Sequence, residues 1–237
     1  MLYIVATPLG NLDDISIRQA KTLVNSEIIL AEDTRSAFKL LEAIKTKFNY
    51  KVIDNQKIIS FYKEKEYQES FEIIKDLEAG KTISLISESG TPLISDPGEI
   101  LLKEVIKRKI QFTIVPGSTA LITALLHSGF PAQSFMFLGF APKEDKTLKK
   151  LIVKIQRISE IEPNTSFIFY LSKYRYNNTL NVFNDMVPDA EICICREMTK
   201  KFEEIIRGKP KNLMNLKLKG ELTVVLTFVT SKSVKTR

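Results

Sequence analysis

Short apolar segments alternate with longer amphipathic segments over the first 130 residues. The predicted strands are Leu2–Thr7, Ile28–Ala31, Lys57–Phe61, Ile83–Ser87 and Phe112–Val115. The predicted helices between and after them are Ile15–Asn25, a segment carrying Phe38, Leu41 and Ile44, then Glu64–Glu78, Glu99–Lys109 and Ser118–Leu126. Uninterrupted apolar strands separated by helices are typical of βαβ units. This pattern predicts an α/β domain with a largely parallel sheet.

The composition changes between Gly129 and Pro142, where glycine and proline bracket the aromatic segment Phe135–Leu138. Such punctuation is common at domain boundaries. We therefore predict two α/β domains: an N-terminal domain over 1–130, a linker over 131–142 and a C-terminal domain over 143–237.

Within the C-terminal domain the pattern predicts an amphipathic basic helix, three strands, a second helix and a polar tail. In chain order these are Lys143–Ser159, Ser166–Leu171, a helix near Tyr174–Met186, Glu191–Arg196, Glu221–Phe228 and a frayed tail Ser231–Arg237. Periodicity does not decide whether Phe202–Arg207 is a strand or a helix.

Charge distinguishes the two halves, whereas the overall composition is ordinary. Of the 237 residues, 44% are apolar and 27% charged, as in soluble globular proteins. Residues 1–142 contain 16 basic and 17 acidic residues, a net charge of −1. Residues 143–237 contain 19 and 11, a net charge of +8. The second half therefore either meets a polyanion or carries a solvated lysine-rich surface.

Several classes of protein are disfavoured by simple counts. No apolar run approaches the roughly 18 residues of a membrane helix, and the first residues lack the basic region of a signal peptide. We therefore expect a cytoplasmic protein without a membrane partner. Two cysteines and one histidine argue against a disulfide framework or a zinc site. Cys193 and Cys195 are expected to pack in the core, and His127 is expected to be structural.

Three loops rich in glycine and proline each follow a predicted strand. They contain Pro8 and Gly10, the segment Ser87–Gly98, and Pro116 with Gly117. Ligands bind open α/β sheets at the carboxyl ends of their strands. The long middle loop offers backbone donors, hydroxyls, carboxylates and an apolar pair, which would suit a ligand that is part zwitterion and part nucleoside. Neither a Walker motif nor a GxGxxG turn is present.

These loops carry motifs that resemble a known family. The motifs are Thr7-Pro8-Leu9-Gly10-Asn11-Leu12, Glu32-Asp33-Thr34-Arg35, Ser89-Gly90-Thr91-Pro92-Leu93-Ile94-Ser95-Asp96-Pro97-Gly98, Pro116-Gly117-Ser118-Thr119-Ala120, Phe137-Leu138-Gly139-Phe140, Arg196–Glu204 and Gly220-Glu221. In this order they closely resemble the tetrapyrrole-methylase superfamily and, within it, the ribosomal RNA small subunit methyltransferase I family. The resemblance covers nearly the whole chain.

The resemblance implies an S-adenosylmethionine-dependent enzyme that methylates the ribose 2′-hydroxyl of a cytidine in 16S ribosomal RNA. It implies a homodimer of two-domain chains, each with its cofactor in the cleft between the domains, acting on 16S ribosomal RNA or the 30S subunit. The implied cofactor contacts are Pro8, Ser89, Gly90, Thr91, Ile94, Thr119 and Ala120, with Leu171 and Met198 from the second domain. No metal is implied.

The chain departs from the family pattern at three places. Glu88-Ser89 stands where Asp-Ala is usual, and Phe61–Glu66 lacks the usual histidine. Leu171–Arg175 stands where Glu-Ser-Pro-His-Arg is usual, so only Ser172 and Arg175 match. The use of the methyl donor is therefore better supported than the nucleotide methylated.

Asp33 and Arg35 are the candidate catalytic pair because their cluster follows a strand at the presumed active edge. An aspartate beside an arginine stays ionised and positions a group better than it takes a proton. We expect Asp33 to orient the acceptor ribose and Arg35 to hold a flanking phosphate. Glu88 and Asp96 are rival carboxylates.

Basic residues of the second half are the candidates for RNA contact. Lys173, Arg175, Lys200 and Lys201 are placed to meet phosphates, and unpaired bases would stack on Tyr174 or Tyr176. The basic residues within Lys143–Lys154 are expected to form a solvated helix face.

Two other functions stay open: a methyltransferase acting on a tetrapyrrole precursor or on diphthamide, and a non-catalytic RNA-binding assembly factor.

Overall fold

The computed structural model describes residues 1–228, so the predicted tail Ser231–Arg237 lies outside the described residues. The chain divides into two compact units, the first ending at Thr119 and the second beginning at Ala120. Within the described part, no helix is both long and apolar enough to cross a bilayer.

The first unit is a five-stranded sheet in which every pairing is parallel. Its strands are β1 (Leu2–Val5), β2 (Ile28–Ala31), β3 (Lys57–Ser60), β4 (Ile83–Ile86) and β5 (Phe112–Val115), in the order β3-β2-β4-β1-β5. Its helices are α1 (Ile17–Val24), α2 (Thr34–Phe48), α3 (Glu66–Glu78) and α4 (Glu99–Lys107), and a short 3₁₀ turn covers Leu12–Asp14. The predicted βαβ arrangement is confirmed.

Helices cover both faces of this sheet, which explains why its central strands are mostly apolar. Leu30 points to the side where α3 and α4 pack, and its neighbour Ile29 points to the side of α1 and α2. Local signals set the helix starts. Ser16 caps α1 in a reciprocal capping box with Gln19.

The second unit contains a mixed sheet in the order β6-β7-β10-β8-β9. Its elements are α5 (Ala120–Ser128), β6 (Ser134–Phe140), α6 (Asp145–Ile161), β7 (Thr165–Ser172), α7 (Tyr176–Met186), β8 (Glu191–Arg196), β9 (Glu204–Gly208), α8 (Pro210–Leu213) and β10 (Glu221–Thr227). Strand β6 pairs parallel to β7, and the other three pairings are antiparallel. The segment Phe202–Arg207, which periodicity left undecided, is a strand from Glu204 onward, where β9 pairs with β8.

The division between the units differs from the boundary expected from the sequence. Helix α5 belongs to the second unit: Arg207 of β9 donates hydrogen bonds to the carbonyls of His127 and Ser128 at its end. The segment expected to be a linker, 131–142, instead contains strand β6. Pro131 and Pro142 flank this aromatic strand, and Gly139 lies within it at a register shift. The charge division is unaffected because residues 110–142 contain no Lys, Arg, Asp or Glu.

Candidate active site

Because all five strands of the first sheet run in the same direction, the loops that follow them lie at one edge, which we call the first carboxyl edge. The first and middle loops are joined there by a two-residue bridge. The Thr7 N–H donates to the Gly90 carbonyl at 2.8 Å, and the Gly90 N–H donates to the Thr7 carbonyl at 3.1 Å. The expected convergence of these two loops is confirmed.

Side chains fasten the same two loops further. The Ser87 hydroxyl donates to the Gly90 carbonyl at 2.9 Å, inside the middle loop. The Ser89 hydroxyl donates to the Leu9 carbonyl at 3.1 Å, across to the first loop. Ser89 therefore links the middle loop to the first loop through its side chain.

The third loop is fixed to the middle loop through Thr91. Its hydroxyl lies 2.7 Å from the Thr119 hydroxyl and 3.0 Å from the Ser118 carbonyl. Gly117 permits a close approach to Gln19, whose amide donates to the Ala6 carbonyl at 2.7 Å. A Cβ at position 117 would lie 2.0 Å from that amide nitrogen. The three loops therefore form one hydrogen-bonded assembly.

A buried carboxylate holds the far end of the middle loop. Glu66 Oε1 accepts hydrogen bonds from the backbone N–H of Gly98 at 2.9 Å and of Ile100 at 2.7 Å, at the start of α4. A negative charge at a helix N-terminus is favourable. Sequence reasoning missed this role because Glu66 precedes Gly98 by 32 residues. The only sequence signal at Glu66 is its place in Phe61–Glu66, the segment that lacks the histidine usual in the family.

A cavity of about 190 Å³ opens at the first carboxyl edge, beyond the ends of β1, β2 and β4. It is lined by Thr7, Pro8, Gly10, Leu12, Ala31, Glu32, Asp33, Ser36, Ala37, Leu40, Ile86, Ser87 and Glu88. Three of these residues are acidic and none is basic. The lining therefore favours a positively charged group.

Asp33 and Arg35 form the expected pair at this cavity. Asp33 caps α2 by accepting the Arg35 N–H at 2.8 Å, and the Arg35 guanidinium donates to both carboxylate oxygens at 2.8 and 3.1 Å. These bonds lower the pKa of Asp33 to about 2. The Asp33 carboxylate, and more weakly Glu88, raise the pKa of Arg35. The Arg35 side chain is 86% exposed, so its remaining donors face solvent.

The predicted cofactor contacts fall into two groups. Pro8 lines the cavity, whereas the other first-unit candidates lie on the neighbouring loops: Ser89, Gly90, Thr91, Ile94 and Thr119. Ile94 lies between Leu93 and Ser95, which both adopt positive φ, a costly conformation typical of functional loops.

The second-unit candidates are less available. Ala120 is the first residue of α5. Leu171 is packed in the core of the second unit, so only its backbone is left for a ligand, and Met198 is buried. Their contribution to cofactor binding stays a prediction.

The four predicted RNA contacts lie at one edge of the second sheet, which we call the second carboxyl edge. Strands β7 and β8 both pair antiparallel with β10, so they run in the same direction and end at the same edge. Lys173 and Arg175 follow β7, and Lys200 and Lys201 follow β8. Their roles stay predictions.

These four cations differ in what they contact. Arg175 Nη2 lies 3.7 Å from an Asp145 oxygen, and Lys200 Nζ lies 3.4 Å from Glu197. Lys173 Nζ lies 4.9 Å from the ring centre of Tyr174, and Lys201 Nζ lies 5.8 Å from that of Phe202.

The choice between Tyr174 and Tyr176 for base stacking is decided by burial. Tyr176 is buried, its hydroxyl donates to the Leu213 carbonyl, and burial raises its pKa to about 12. It is therefore a core residue, and the alternative that placed it in an RNA contact is wrong. Tyr174 is exposed.

The two cysteines are buried as expected, whereas the structural role expected of His127 stays a prediction. His127 lies in the last turn of α5, with Nε2 3.9 Å from a Glu203 oxygen. Cys193 and Cys195 are fully buried in β8, with their sulfur atoms 3.8 Å apart.

Comparison with known proteins places this geometry in a family. The family model Tetrapyrrole (Corrin/Porphyrin) Methylases matches residues 1–213. Ribosomal RNA small subunit methyltransferase I of Mesomycoplasma conjunctivae is 39% identical, over 99% of this chain and 94% of its own length. The protein of the same name from Thermotoga maritima is 37% identical, over 95% of this chain and 97% of its own.

Solved structures share the fold at low sequence identity. The methyltransferase CobJ has a TM-score of 0.70 and 15% identity, covering 96% of this chain and 94% of its own. Uroporphyrin-III C-methyl transferase from Thermus thermophilus, complexed with S-adenyl homocysteine, has a TM-score of 0.62 and 12% identity, covering 95% and 96%. The family model and the two relatives of 39% and 37% identity cover nearly the whole chain. The chain therefore belongs to the ribosomal RNA small subunit methyltransferase I family and has the tetrapyrrole methylase fold.

Proposed function

We propose that this methyltransferase transfers the methyl group of S-adenosylmethionine to the ribose 2′-hydroxyl of a cytidine in 16S ribosomal RNA. The observation that carries the proposal is the acidic cavity at the first carboxyl edge, with the Asp33–Arg35 pair at its rim. It combines a place for a cation with a fixed carboxylate and an exposed guanidinium.

The residues present fit this cofactor. When bound, S-adenosylmethionine supplies a methyl group on a positively charged sulfur. The carboxylates of Glu32, Asp33 and Glu88 complement positive charge, and the cavity lining contains no basic side chain. The cavity has a volume of about 190 Å³. Sites that enclose a whole ligand usually have volumes of roughly 300–1,000 Å³, so this cavity is smaller. It therefore takes one part of the ligand, while the adjoining loops offer backbone groups to the rest.

Asp33 acts as a positioning group for the acceptor. With a pKa of about 2 it is ionised at neutral pH and is a weak base. Its carboxylate accepts a hydrogen bond from the ribose hydroxyl and aligns the oxygen, and water takes the proton. Arg35 uses two side-chain donor nitrogens on Asp33 and directs the rest of its guanidinium to a neighbouring phosphate. Alignment of this kind supplies most of the rate in a displacement reaction.

The test is transfer of tritium from methyl-labelled S-adenosylmethionine to 30S subunits, followed by nuclease digestion of the RNA. Label in a 2′-O-methylcytidine supports the proposal. Label on a base, or in another ribose, contradicts the proposed position. Label that reaches only a small molecule supports the tetrapyrrole alternative, and label that reaches only protein supports the diphthamide alternative.

The alternatives have less support. Likeness to CobJ and to diphthine synthase, at 15% and 14% identity, shows the fold alone. A non-catalytic assembly factor has no need of an acidic cavity beside three fastened loops. That alternative predicts binding to RNA without any transfer of label.

We also propose that the protein works in the cytoplasm as a homodimer. Light scattering tests the oligomeric state and should give twice the chain mass of 27.0 kDa. A single-chain mass at micromolar concentration contradicts the dimer.

A further inference from the structure

We propose that three exposed aromatic side chains at the second carboxyl edge form a stacking surface for unpaired RNA bases, with Lys173 and Lys201 on the flanking phosphates. The aromatic residues are Phe140, Tyr174 and Phe202. This inference rests on the proposed function and deepens it, because it assigns a recognition surface and an unpaired form to the RNA.

Strand direction brings the three rings to the same edge. Strand β6 is parallel to β7, and β7 and β8 run in the same direction on either side of β10. Phe140 ends β6, Tyr174 follows β7 and Phe202 follows β8. Adjacent strands are about 4.8 Å apart, so the loops after β7 and β8 begin about 10 Å from each other. This span matches a few nucleotides of a single strand.

The rings are exposed although they are large. Phe140 is 54% exposed, Tyr174 85% and Phe202 68%. Single exposed aromatic residues are common on protein surfaces and need no explanation. Three at one edge of a domain with a net charge of +8 form a different pattern, since aromatic faces beside basic residues are what single-stranded nucleic acids bind.

The two lysines next to the rings are the ones without a carboxylate partner. Among residues 1–228, no ion pair involves Lys173 or Lys201, and both ammonium groups stand over the adjacent ring. Arg175 and Lys200 instead face Asp145 and Glu197. Lys173 and Lys201 can therefore move to a phosphate without breaking an ion pair. The ring that each one leaves becomes open to a base.

This arrangement selects for unpaired bases. In a helical duplex the base faces are already stacked on one another, whereas in loops and single strands they are free.

The absence of tryptophan from the sequence allows a direct test. The variants Tyr174→Trp and Phe202→Trp each carry one indole, whose fluorescence is quenched when a base stacks on it. Tyr67→Trp, at an exposed position on α3, is the control. We expect polycytidylate to quench the first two variants and to leave the control unchanged. The duplex of polycytidylate with polyinosinate, and inorganic polyphosphate, should quench neither.

Equal quenching by the duplex or by polyphosphate would overturn the inference, as would the absence of quenching by polycytidylate. Quenching of the Tyr67→Trp control to the same extent would overturn it too.

A kinetic test separates this inference from the proposed function. For the double variant Tyr174→Leu/Phe202→Leu we expect KM for 30S subunits to rise about 5-fold or more, given the usual loss per stacked base. The kcat and the affinity for S-adenosylmethionine should stay unchanged in this variant, and the control Tyr67→Leu on α3 should leave the KM for 30S subunits unchanged. An unchanged KM refutes the stacking surface. If the unmodified protein does not methylate 30S subunits, the proposed function fails, and the fluorescence result still decides the stacking surface.

Discussion

The two carboxyl edges are built in opposite ways. At the first edge, the loops after three strands are joined by hydrogen bonds such as those of Thr7 with Gly90 and Thr91 with Thr119. Residues that follow β1, β2 and β4 line an acidic cavity at this edge. At the second edge, the side chains of Lys173, Tyr174 and Phe202 extend into solvent. The first edge is pre-organised, and the second is adaptable.

The difference agrees with the ligands that we propose for each edge. Loops that are already ordered lose little entropy when a small ligand binds. A long polyanion gives up counterions to cations and stacks its bases on rings, and both interactions tolerate some movement. The sheets differ accordingly. The first is all parallel, which gathers every loop at one edge, whereas the second is mixed.

The sharpest test of the first edge is the charge of Asp33. Asn is as good a helix cap as Asp, so Asp33→Asn retains the start of α2 but removes the carboxylate. We expect kcat for methyl transfer to fall about 100-fold, the scale of a lost positioning or electrostatic group. Thermal unfolding should stay within a few degrees. A kcat within twofold of the unmodified enzyme would exclude Asp33 from the reaction.

The next test compares one glycine from each unit. In Gly117→Ala the new methyl group would lie 2.0 Å from the Gln19 amide, breaking its buried bond to the Ala6 carbonyl. Overpacking and the lost bond together should lower the free energy of unfolding by about 2–4 kcal/mol, measured in urea. Gly208→Ala meets no atom closer than 3.5 Å and should cost less than about 1 kcal/mol. Similar losses in both variants would show that the first edge is no tighter than the second unit.

Salt dependence tests the second edge. Each phosphate contact on a single strand contributes about 0.7 to the slope of log affinity against log salt. Lys173→Ala/Lys201→Ala should therefore reduce the magnitude of the slope for polycytidylate by about 1.4. Lys103→Ala/Lys107→Ala changes the net charge equally, but both lysines are paired on α4 of the first unit. If this control reduces the slope as much, binding depends on net charge alone.

The smallest effect concerns the pKa of Asp33. Because the folded pKa of about 2 lies below the ordinary 3.8, the ion pair stabilises the fold above about pH 4 and loses that effect as the pH falls towards 2. In Arg35→Ala the pKa should rise but stay below 3.8, since backbone N–H groups still donate to the carboxylate. A carbon-13 carboxyl titration measures it. The control Lys39→Ala, on the same helix, should leave the pKa of Asp33 at about 2. If Arg35→Ala also leaves this pKa at about 2, Arg35 is not the cause of the lowered value.

Much of the fold was predictable because its signals are local. The helix expected over Ile15–Asn25 forms as Ile17–Val24, and the strand expected over Glu191–Arg196 forms with those bounds. The domain boundary was not predictable. Helix α5 is largely apolar, so its periodicity does not show whether it packs on the first sheet or on the second. The sequence therefore could not assign α5 to the second unit. The glycines and prolines around β6 flank or interrupt a strand, which looks in sequence like a linker.

Some residues of the candidate site could also be predicted from local sequence, whereas others depend on contacts between distant residues. Pro8, Asp33 and Arg35 could be proposed from their positions after strands, because parallel strands end at one edge. The clamp of Glu66 on Gly98 could not, since 32 residues separate them and no local pattern marks the pair. The choice of Tyr174 over Tyr176 depended on burial, because Tyr176 begins α7 and packs in the core whereas Tyr174 lies in the exposed turn before it.

The sequence by itself determined the alternation of strands and helices, the three loops, the motifs of the family and the division of charge between −1 and +8. These follow from periodicity, turn chemistry and residue counts, which act over a few residues. Only the tertiary structure decided the boundary at Thr119, the acidic cavity, the contact of Glu66 with Gly98 and, within residues 1–228, the absence of an ion pair at Lys173 and Lys201. Each depends on residues far apart in the chain, and packing alone brings such residues together.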